Sequence, residues 1–188
     1  EHQHEDWSHQ EMTTVLPRTP WLIIMAGVHG AGKHYVVREL VNTERLPLLS
    51  YVCVDTDDLR RYLPEYSAYL AESPDKVDQL TRKEAGYISE TLTLAALQAG
   101  RNVIYHCSLK DCQWYKDSFI PNLRRQFHGL KVALIHVTAD RDVVLERPRG
   151  RVLATPGRPV CENELVHTLL VAVPQACQDL RPEVNYFC

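Results

Sequence analysis

The sequence has no long apolar run and no large excess of charge of either sign. Its longest apolar stretch, WLIIMAGV from Trp21, is far shorter than the roughly 20 residues that cross a bilayer, so we expect no contact with a membrane. The formal net charge is −3 at pH 7, which gives no overall attraction for nucleic acid or anionic lipid. Any site for a polyanion must therefore be built locally.

The six cysteines contain no CxxC pair. Several lie in apolar stretches, where a cysteine behaves as a small hydrophobic residue. We therefore expect reduced thiols and an intracellular protein, in the cytoplasm or in an organelle matrix such as that of the mitochondrion. The first residues lack the basic start and apolar centre of a secretory signal. The chain does not begin with Met, which is typical of a processed or excised chain.

The length of 188 residues fits one domain. We expect a polar lead-in over residues 1–20 and a single domain over residues 21–188. His2, His4 and His9 fall in the lead-in, where scattered histidines are more typical of a solvated segment than of a metal site.

Apolar segments predict five strands. Four buried strands are expected at residues 21–27, 50–55, 102–106 and 131–137, and a short fifth one at residues 183–187. Helical patterns separate them, and alternating strands and helices predict a doubly wound α/β fold. We expect a mainly parallel five-stranded sheet flanked by helices, with ligands bound at the carboxyl ends of the strands.

The helices are predicted from apolar spacing and from their end signals. An amphipathic helix starts at Lys33, and a long one starts at Ser73 and Pro74 and ends at Gly100. We expect Pro121 to break a later helix, and Pro174 to end the last one. The predicted inner face of the long helix consists of Val77, Leu80, Ile88, Leu92 and Ala95.

The stretch GVHGAGKHY follows the first strand directly and opens the first helix. The pattern G-x-x-x-x-G-K places backbone N–H groups around phosphate oxygens, and its lysine reaches the terminal phosphates. A strand before it and a helix after it make a chance match improbable. We therefore expect ATP or GTP to bind here, with Lys33 acting in catalysis. The predicted nucleotide-binding residues of the loop are Gly27, Val28, His29, Gly30, Ala31, Gly32, Lys33, His34 and Tyr35.

His34 occupies the position that normally carries Ser or Thr, whose hydroxyl binds the Mg²⁺ of the nucleotide. Imidazole suits zinc or copper, whereas Mg²⁺ prefers oxygen. Either a water or a nearby carboxylate replaces the hydroxyl, or metal-dependent turnover is impaired. We expect Mg²⁺ only in an active enzyme, and the sequence assigns no metal ligand.

Four blocks, GVHGAGKHY, VDTDDLRRYLPEY, RNVIYHCSLKD and RPRGRVLATPGRPV, resemble the zeta-toxin family of P-loop kinases in order and spacing over residues 21–160. The second block is the most specific, and its matching residues are Asp55, Asp57, Leu59, Arg60, Pro64 and Tyr66. The resemblance implies that Asp57 accepts the proton of a substrate hydroxyl and that Arg60 and Tyr66 lie near the substrate. For Asp57, capping of the following helix is the alternative interpretation.

The third block departs from the family at His106, where the family usually has an acidic residue, and keeps a hydroxyl at Ser108, which we place near the substrate. We interpret His106 as a hydrogen-bonded, partly buried histidine rather than a replacement base. In the fourth block, the resemblance implies that Arg158 faces the nucleotide and takes part in catalysis. It also implies that Arg149 or Arg151 is a lid arginine.

The arginines of the fourth block also fit a different interpretation. Residues 147–158 contain four arginines, and such a cluster binds the acidic patch of a protein partner or RNA phosphates as readily as a triphosphate. Protein or RNA assembly partners therefore remain an alternative for this segment.

Two functions follow from these observations. The first is a kinase that transfers phosphate from ATP or GTP to a hydroxyl of a small molecule, which the resemblance implies is an amino-sugar nucleotide such as UDP-N-acetylglucosamine. The second is a catalytically degenerate domain that serves as a structural subunit of a larger assembly, with or without nucleotide. The substitutions at His34 and His106 motivate the second hypothesis.

Overall fold

The structure is a computed structural model that describes residues 19–46, 51–154 and 163–188. Almost all of the predicted lead-in, residues 1–20, lies outside these ranges, so its separation from a domain over residues 21–188 stays a prediction. All five cysteines in the described ranges are free thiols. No helix in these ranges has the length and apolar character that crossing a membrane requires.

One five-stranded sheet forms the centre of the described chain. In sheet order the strands are β2, β3, β1, β4 and β5, and every pairing between them is parallel. With its flanking helices, this sheet confirms the predicted doubly wound α/β fold. The strand bounds are β1 Trp21–Ala26, β2 Tyr51–Asp55, β3 Asn102–Cys107, β4 Lys131–His136 and β5 Tyr186–Phe187.

The central position of β1 follows from its sequence. Leu22 and Ile24 are completely buried, and β1 pairs with β3 on one side and with β4 on the other. A strand covered on both faces needs a continuous apolar run, which WLIIMA supplies. Because the strands are parallel, the carboxyl ends of β1, β2 and β3 meet at the same edge of the sheet.

Eight α-helices are described. They are α1 Lys33–Asn42, α2 Thr56–Leu59, α3 Tyr66–Glu72, α4 Val77–Gln98, α5 Cys112–Trp114, α6 Ile120–Gln126, α7 Arg141–Ala154 and α8 Asn163–Leu180. Short 3₁₀ turns follow α2 and α8, at Arg60–Tyr62 and Arg181–Glu183, and a π-helical turn, Tyr115–Phe119, joins α5 to α6.

The long helix α4 differs from its prediction at its start and on its inner face. Ser73 ends α3, and α4 begins at Val77. Leu80 is 49% exposed and Ala95 is exposed. The buried face consists of Val77, Thr81, Ala85, Ser89, Thr93, Ala96 and Leu97.

Hydroxyl residues can form this face because they bond within their own helix. Thr81, Ser89 and Thr93 each donate to the carbonyl four residues earlier, at 2.7, 2.7 and 2.8 Å. A buried hydroxyl with a partner avoids the cost of an unpaired one. Apolar spacing alone could not identify this face.

Neither predicted proline break occurs. The helical run from Cys112 to Gln126 continues through the π-helical turn into α6, where Pro121 lies in the first turn. Pro121 has no N–H to donate, and the π-helical turn just before it interrupts the regular α-helical hydrogen-bond ladder at this point. Pro174 lies inside α8, which continues to Leu180.

Gly27 directly follows β1 and lies between the ends of β3 and β4. Its N–H donates to the carbonyl of Cys107 at 3.2 Å, and the N–H of Val137 donates to the carbonyl of Ala26 at 2.8 Å. A Cβ atom on Gly27 would lie 2.6 Å from the carbonyl oxygen of Val137. This backbone contact requires glycine at the start of the loop.

Replacing Gly27 by alanine is expected to destabilise the fold by about 1–3 kcal/mol, the usual cost of overpacking, because a backbone atom cannot move aside easily. Chemical denaturation measures the change. Gly86→Ala is the matched control, since its Cβ would meet nothing within 4 Å. Because Gly86 lies in the interior of α4, Gly86→Ala is expected to increase the free energy of unfolding by about 0.5–1 kcal/mol. A Gly27→Ala protein as stable as the parent would contradict the close contact.

Candidate functional site

The glycine loop lies at the carboxyl edge of the sheet, between β1 and α1. Gly32 precedes α1 with φ of 100°, a left-handed conformation that favours glycine. Among the described residues no side chain caps α1, and its first turn contains no acidic residue. The amino end of a helix attracts anions through its N–H groups and its dipole, so this end of α1 is suited to a phosphate.

Two cationic side chains border the loop. The ammonium of Lys33 donates to the carbonyl oxygens of Gly27 at 2.7 Å and Val28 at 3.3 Å. Arg147, on α7, donates through Nη1 to the carbonyls of Gly30 at 2.9 Å and Ala31 at 3.3 Å. The sequence places Arg147 in the arginine cluster but does not connect it with this loop. The glycine turn and the two cations together fit a nucleoside triphosphate.

Asp57 follows β2 and lies in the first turn of α2. The N-cap of α2 is Asp55, which accepts a hydrogen bond from the N–H of Asp57 at 2.8 Å. The carboxylate of Asp57 instead lies 3.2 Å from His29 Nδ1 and 3.0 Å from Arg60 Nη2. The capping role therefore belongs to Asp55, and the side chain of Asp57 turns toward the glycine loop.

Opposing effects act on the pKa of Asp57. Burial raises it, but the hydrogen bond with His29 and the charges of His29, Arg60 and Lys33 lower it more, and the pKa lies well below its usual range. Asp57 is therefore ionised at neutral pH. An ionised carboxylate accepts hydrogen bonds and can orient a hydroxyl group.

Arg60 connects Asp57 to α4. The residue is 5% exposed, and its guanidinium contacts both Asp57 and Asp78, the latter at 2.5 Å. Asp78 is also paired with Arg82 at 2.6 Å. A buried arginine held between two carboxylates fixes their positions. Arg60 thus positions Asp57, and the long-range partner Asp78 was missed by the sequence analysis.

A cavity of about 530 Å³ opens beside the loop. Of the predicted site residues, its walls bring together His29, Lys33, Asp57, Arg60 and Ser108. Lys110 and Asp111, at the end of the third sequence block, also line the cavity, although the sequence analysis gave them no role. Other charged and aromatic wall residues lie outside the four blocks and were missed: Asp78, Arg82, Lys83, Tyr87, Glu90 and Trp114.

Tyr66 is not among the residues that line this cavity. It is buried in a small apolar cluster with Leu63, Val77 and Ala85. Tyr35, the last residue of the predicted loop set, lies on α1 and is exposed. Arg149 and Arg151 belong to the second half of α7, and Arg158 lies outside the described residues.

His34, Asp55 and His106 meet next to the loop, at the amino end of α1 and at the ends of β2 and β3. The imidazoles of His34 and His106 stack with centroids 4.5 Å apart and planes 13° apart. His34 Nε2 lies 2.9 Å from Asp55 Oδ2. Burial lowers the pKa of His106 to about 4, so this imidazole is neutral at pH 7. Two imidazoles with one carboxylate do not fit Mg²⁺, which prefers an octahedron of oxygens.

The thiol and the phenol nearest to the cavity floor are held in their protonated forms. Burial raises the pKa of Cys107 to about 11 and that of Tyr105 to about 12. A thiol, unlike a thiolate, is a poor nucleophile. Neither group is therefore a candidate nucleophile, and the candidate functional groups of the cavity are its carboxylates and cations.

Comparisons with known proteins agree with this geometry. A component of the PezAT chromosomal toxin–antitoxin system of Streptococcus pneumoniae superposes with a TM-score of 0.66 at 21% identity, over 88% of this chain and 66% of that one. A putative kinase from Chloroflexus aurantiacus superposes with a TM-score of 0.57 at 20% identity, over 79% and 78%. Deoxyadenosine kinase from M. mycoides, with bound dATP, gives 0.56 at 14% identity, over 88% and 89%.

At these identities the superpositions show the fold, which is that of P-loop kinases. The chain spans slightly less than two thirds of the Streptococcus pneumoniae protein. No curated protein matches the chain at a significant level. The family model described as "Zeta toxin" matches residues 5–179, which is most of the sequence. The chain therefore belongs to the zeta toxin family, as the four sequence blocks indicated.

Proposed function

We propose that this protein binds ATP or GTP in the glycine loop and transfers the terminal phosphoryl group to a hydroxyl of a small molecule held in the adjoining cavity. One observation carries the proposal: a single cavity of about 530 Å³ is lined by both Lys33 and Asp57. A phosphate-binding cation and an ionised carboxylate then face the same bound molecules. This is the arrangement that phosphoryl transfer to a hydroxyl needs.

Each of these residues has a separate role in the proposed phosphoryl transfer. The loop and Lys33 hold the phosphates, and Asp57 accepts a hydrogen bond from the acceptor hydroxyl. A bond forms between the acceptor oxygen and the terminal phosphorus while the bond to the bridging oxygen breaks. The hydroxyl proton passes to Asp57, and a nucleoside diphosphate leaves. A weakly basic carboxylate is sufficient, because phosphoryl transfer proceeds through a loose transition state with little bond formation to the acceptor.

Several finer assignments belong to the same proposal. The triphosphate would be covered by Arg149, Arg151 and Arg158. The acceptor would be a sugar nucleotide, as the family resemblance implies. Ser108, on the cavity wall, would contact the acceptor. The free thiols of the described residues support a reducing, intracellular location.

The contact between His34 and Asp55 favours a second candidate function. The position that normally supplies a hydroxyl to Mg²⁺ carries an imidazole bonded to a carboxylate at 2.9 Å. The loss of one such electrostatic contact costs on the order of 10²- to 10³-fold in rate. A domain that binds nucleotide without turnover, and that serves as a subunit through the arginines of residues 147–158, is therefore the alternative.

Lys33→Ala is expected to weaken binding of ATP or GTP by roughly 10- to 100-fold, because a charge-assisted hydrogen bond contributes about 1.5–3 kcal/mol. Calorimetric titration with each nucleotide measures the change. Lys131→Ala is the matched control, since this exposed lysine begins β4 at the opposite end of the sheet. Equal nucleotide affinity in the Lys33→Ala and Lys131→Ala proteins would contradict both candidate functions.

Asp57→Asn is expected to lower phosphoryl transfer by roughly 10²- to 10⁴-fold, the usual contribution of a general base, with little change in nucleotide affinity. Transfer of radiolabelled terminal phosphate to a panel of sugar nucleotides provides the measurement. Asp58→Asn changes the next carboxylate of α2 and is expected to retain activity. A parent protein that binds nucleotide but transfers nothing would support the second candidate. An equal loss of phosphoryl transfer in the Asp57→Asn and Asp58→Asn proteins would contradict the role of Asp57 as the general base.

A further inference from the structure

We propose that His34, Asp55 and His106 form a binding site for a divalent transition-metal ion of the zinc type, in place of an oxygen-liganded Mg²⁺. The inference deepens the proposed function, on which it rests for the idea that the ion lies beside bound phosphates. The presence of the site itself can be tested without any nucleotide. Nothing in the match to the zeta toxin family model or in the superposed structures assigns such a site.

Three separate elements bring the ligands together. His34 is the second residue of α1, Asp55 is the last residue of β2, and His106 lies one residue before the end of β3. One ring nitrogen of each histidine and one carboxylate oxygen of Asp55 all lie within 4.8 Å of one another. Ligands on a tetrahedral zinc ion, at about 2.0–2.1 Å from the metal, are separated by roughly 3.3 Å. The ligand atoms are therefore close enough for a rotation of one side chain to bring them around an ion.

The donor set selects the metal. Two imidazoles and one carboxylate match zinc, cobalt and other borderline ions, whereas Mg²⁺ takes oxygen ligands in an octahedron. Three protein ligands leave one coordination position open. The site lies at the amino end of α1, next to the glycine loop, so a phosphate oxygen or a water can occupy this position.

A second observation, an unpaired ring nitrogen on His106, supports the site. The residue is 3% exposed, and its Nδ1 is buried without a hydrogen-bond partner among the described residues. A buried polar nitrogen without a partner costs free energy. An imidazole that ligates a metal normally has both nitrogens occupied, one by the ion and the other by an outer partner. Buried next to a carboxylate, His106 is therefore positioned as a ligand and not as an ordinary core residue.

Binding requires one ring to turn. The rings of His34 and His106 are stacked and nearly parallel. A metal ion lies in the plane of each imidazole that ligates it, so two stacked rings cannot both ligate one ion. His34 is 52% exposed, which leaves room for its side chain to rotate while Asp55 and His106 stay in place. Turning His34 out of the stack would bring a ring nitrogen to the ion, which would then replace the direct contact between His34 and Asp55.

The test is a titration of the full chain with Co²⁺ and Zn²⁺ in the absence of nucleotide. His2, His4 and His9 are first replaced by Asn, so that they cannot bind metal. Visible absorption of Co²⁺ reports tetrahedral nitrogen and oxygen coordination, and calorimetry gives the affinity for Zn²⁺. One equivalent of each ion is expected to bind, with an excess of Mg²⁺ unable to displace it.

His34→Ser is the decisive variant, because its exposed side chain can be changed without disturbing the core. Loss of a direct ligand is expected to weaken Zn²⁺ binding by more than about 100-fold, beyond the loss typical of an outer ligand. His106→Gln should also weaken Zn²⁺ binding, and thermal melting shows whether this variant still folds. His136→Gln, at the end of β4, which β1 separates from β3 in the sheet, is the control and should bind as the parent does.

The outcomes separate this inference from the proposed function. Absence of Zn²⁺ binding, or equal binding in the parent and His34→Ser proteins, overturns the metal site and leaves the nucleotide site standing. Zinc binding that disappears with His34→Ser supports the metal site. It does so even if unchanged nucleotide affinity in the Lys33→Ala protein contradicts the proposed nucleotide site. An equal loss in His34→Ser and His136→Gln means nonspecific binding and also overturns the proposal.

Discussion

The close approach of three strand ends around Gly27 is the constraint on which the candidate site depends. The loop can leave β1 only between the carbonyl of Cys107 and the backbone of Val137, and a glycine is needed for it to pass. Because the strands are parallel, the same edge also carries Asp55, the last residue of β2, and His106, the last residue but one of β3. The sheet thus determines the positions of Asp55 and His106, while the helices that flank this edge carry His34, Asp57 and Arg147.

The sheet and the loop could be predicted because their signals are local. An apolar run, a glycine spacing and a helical period follow one another between Trp21 and Lys33, and each supports the others. The buried face of α4 could not be predicted, since Thr93 and its equivalents meet their hydrogen-bonding needs inside the helix. Pro174 likewise lies within α8, because packing of the helix outweighed a local preference.

The site was predictable only where its residues share a short motif. Asp57 and Arg60 came from one block of sequence, but Arg147 contacts a loop 117 positions away. The substitutions at His34 and His106 looked like two separate losses in the sequence. In the structure the two rings stack on each other, so they form one feature. Only the tertiary fold brings such distant positions together.

The bonds of Lys33 and Arg147 to carbonyls of the loop have a consequence for selectivity. A ligand that binds these two cations must interact with them more strongly than the loop carbonyls that it displaces. A single weakly charged group gains little from the exchange, whereas a chain of phosphates satisfies both cations and the helix end at once. We therefore expect a loop whose cations already bond to its own carbonyls to favour polyphosphates over small anions.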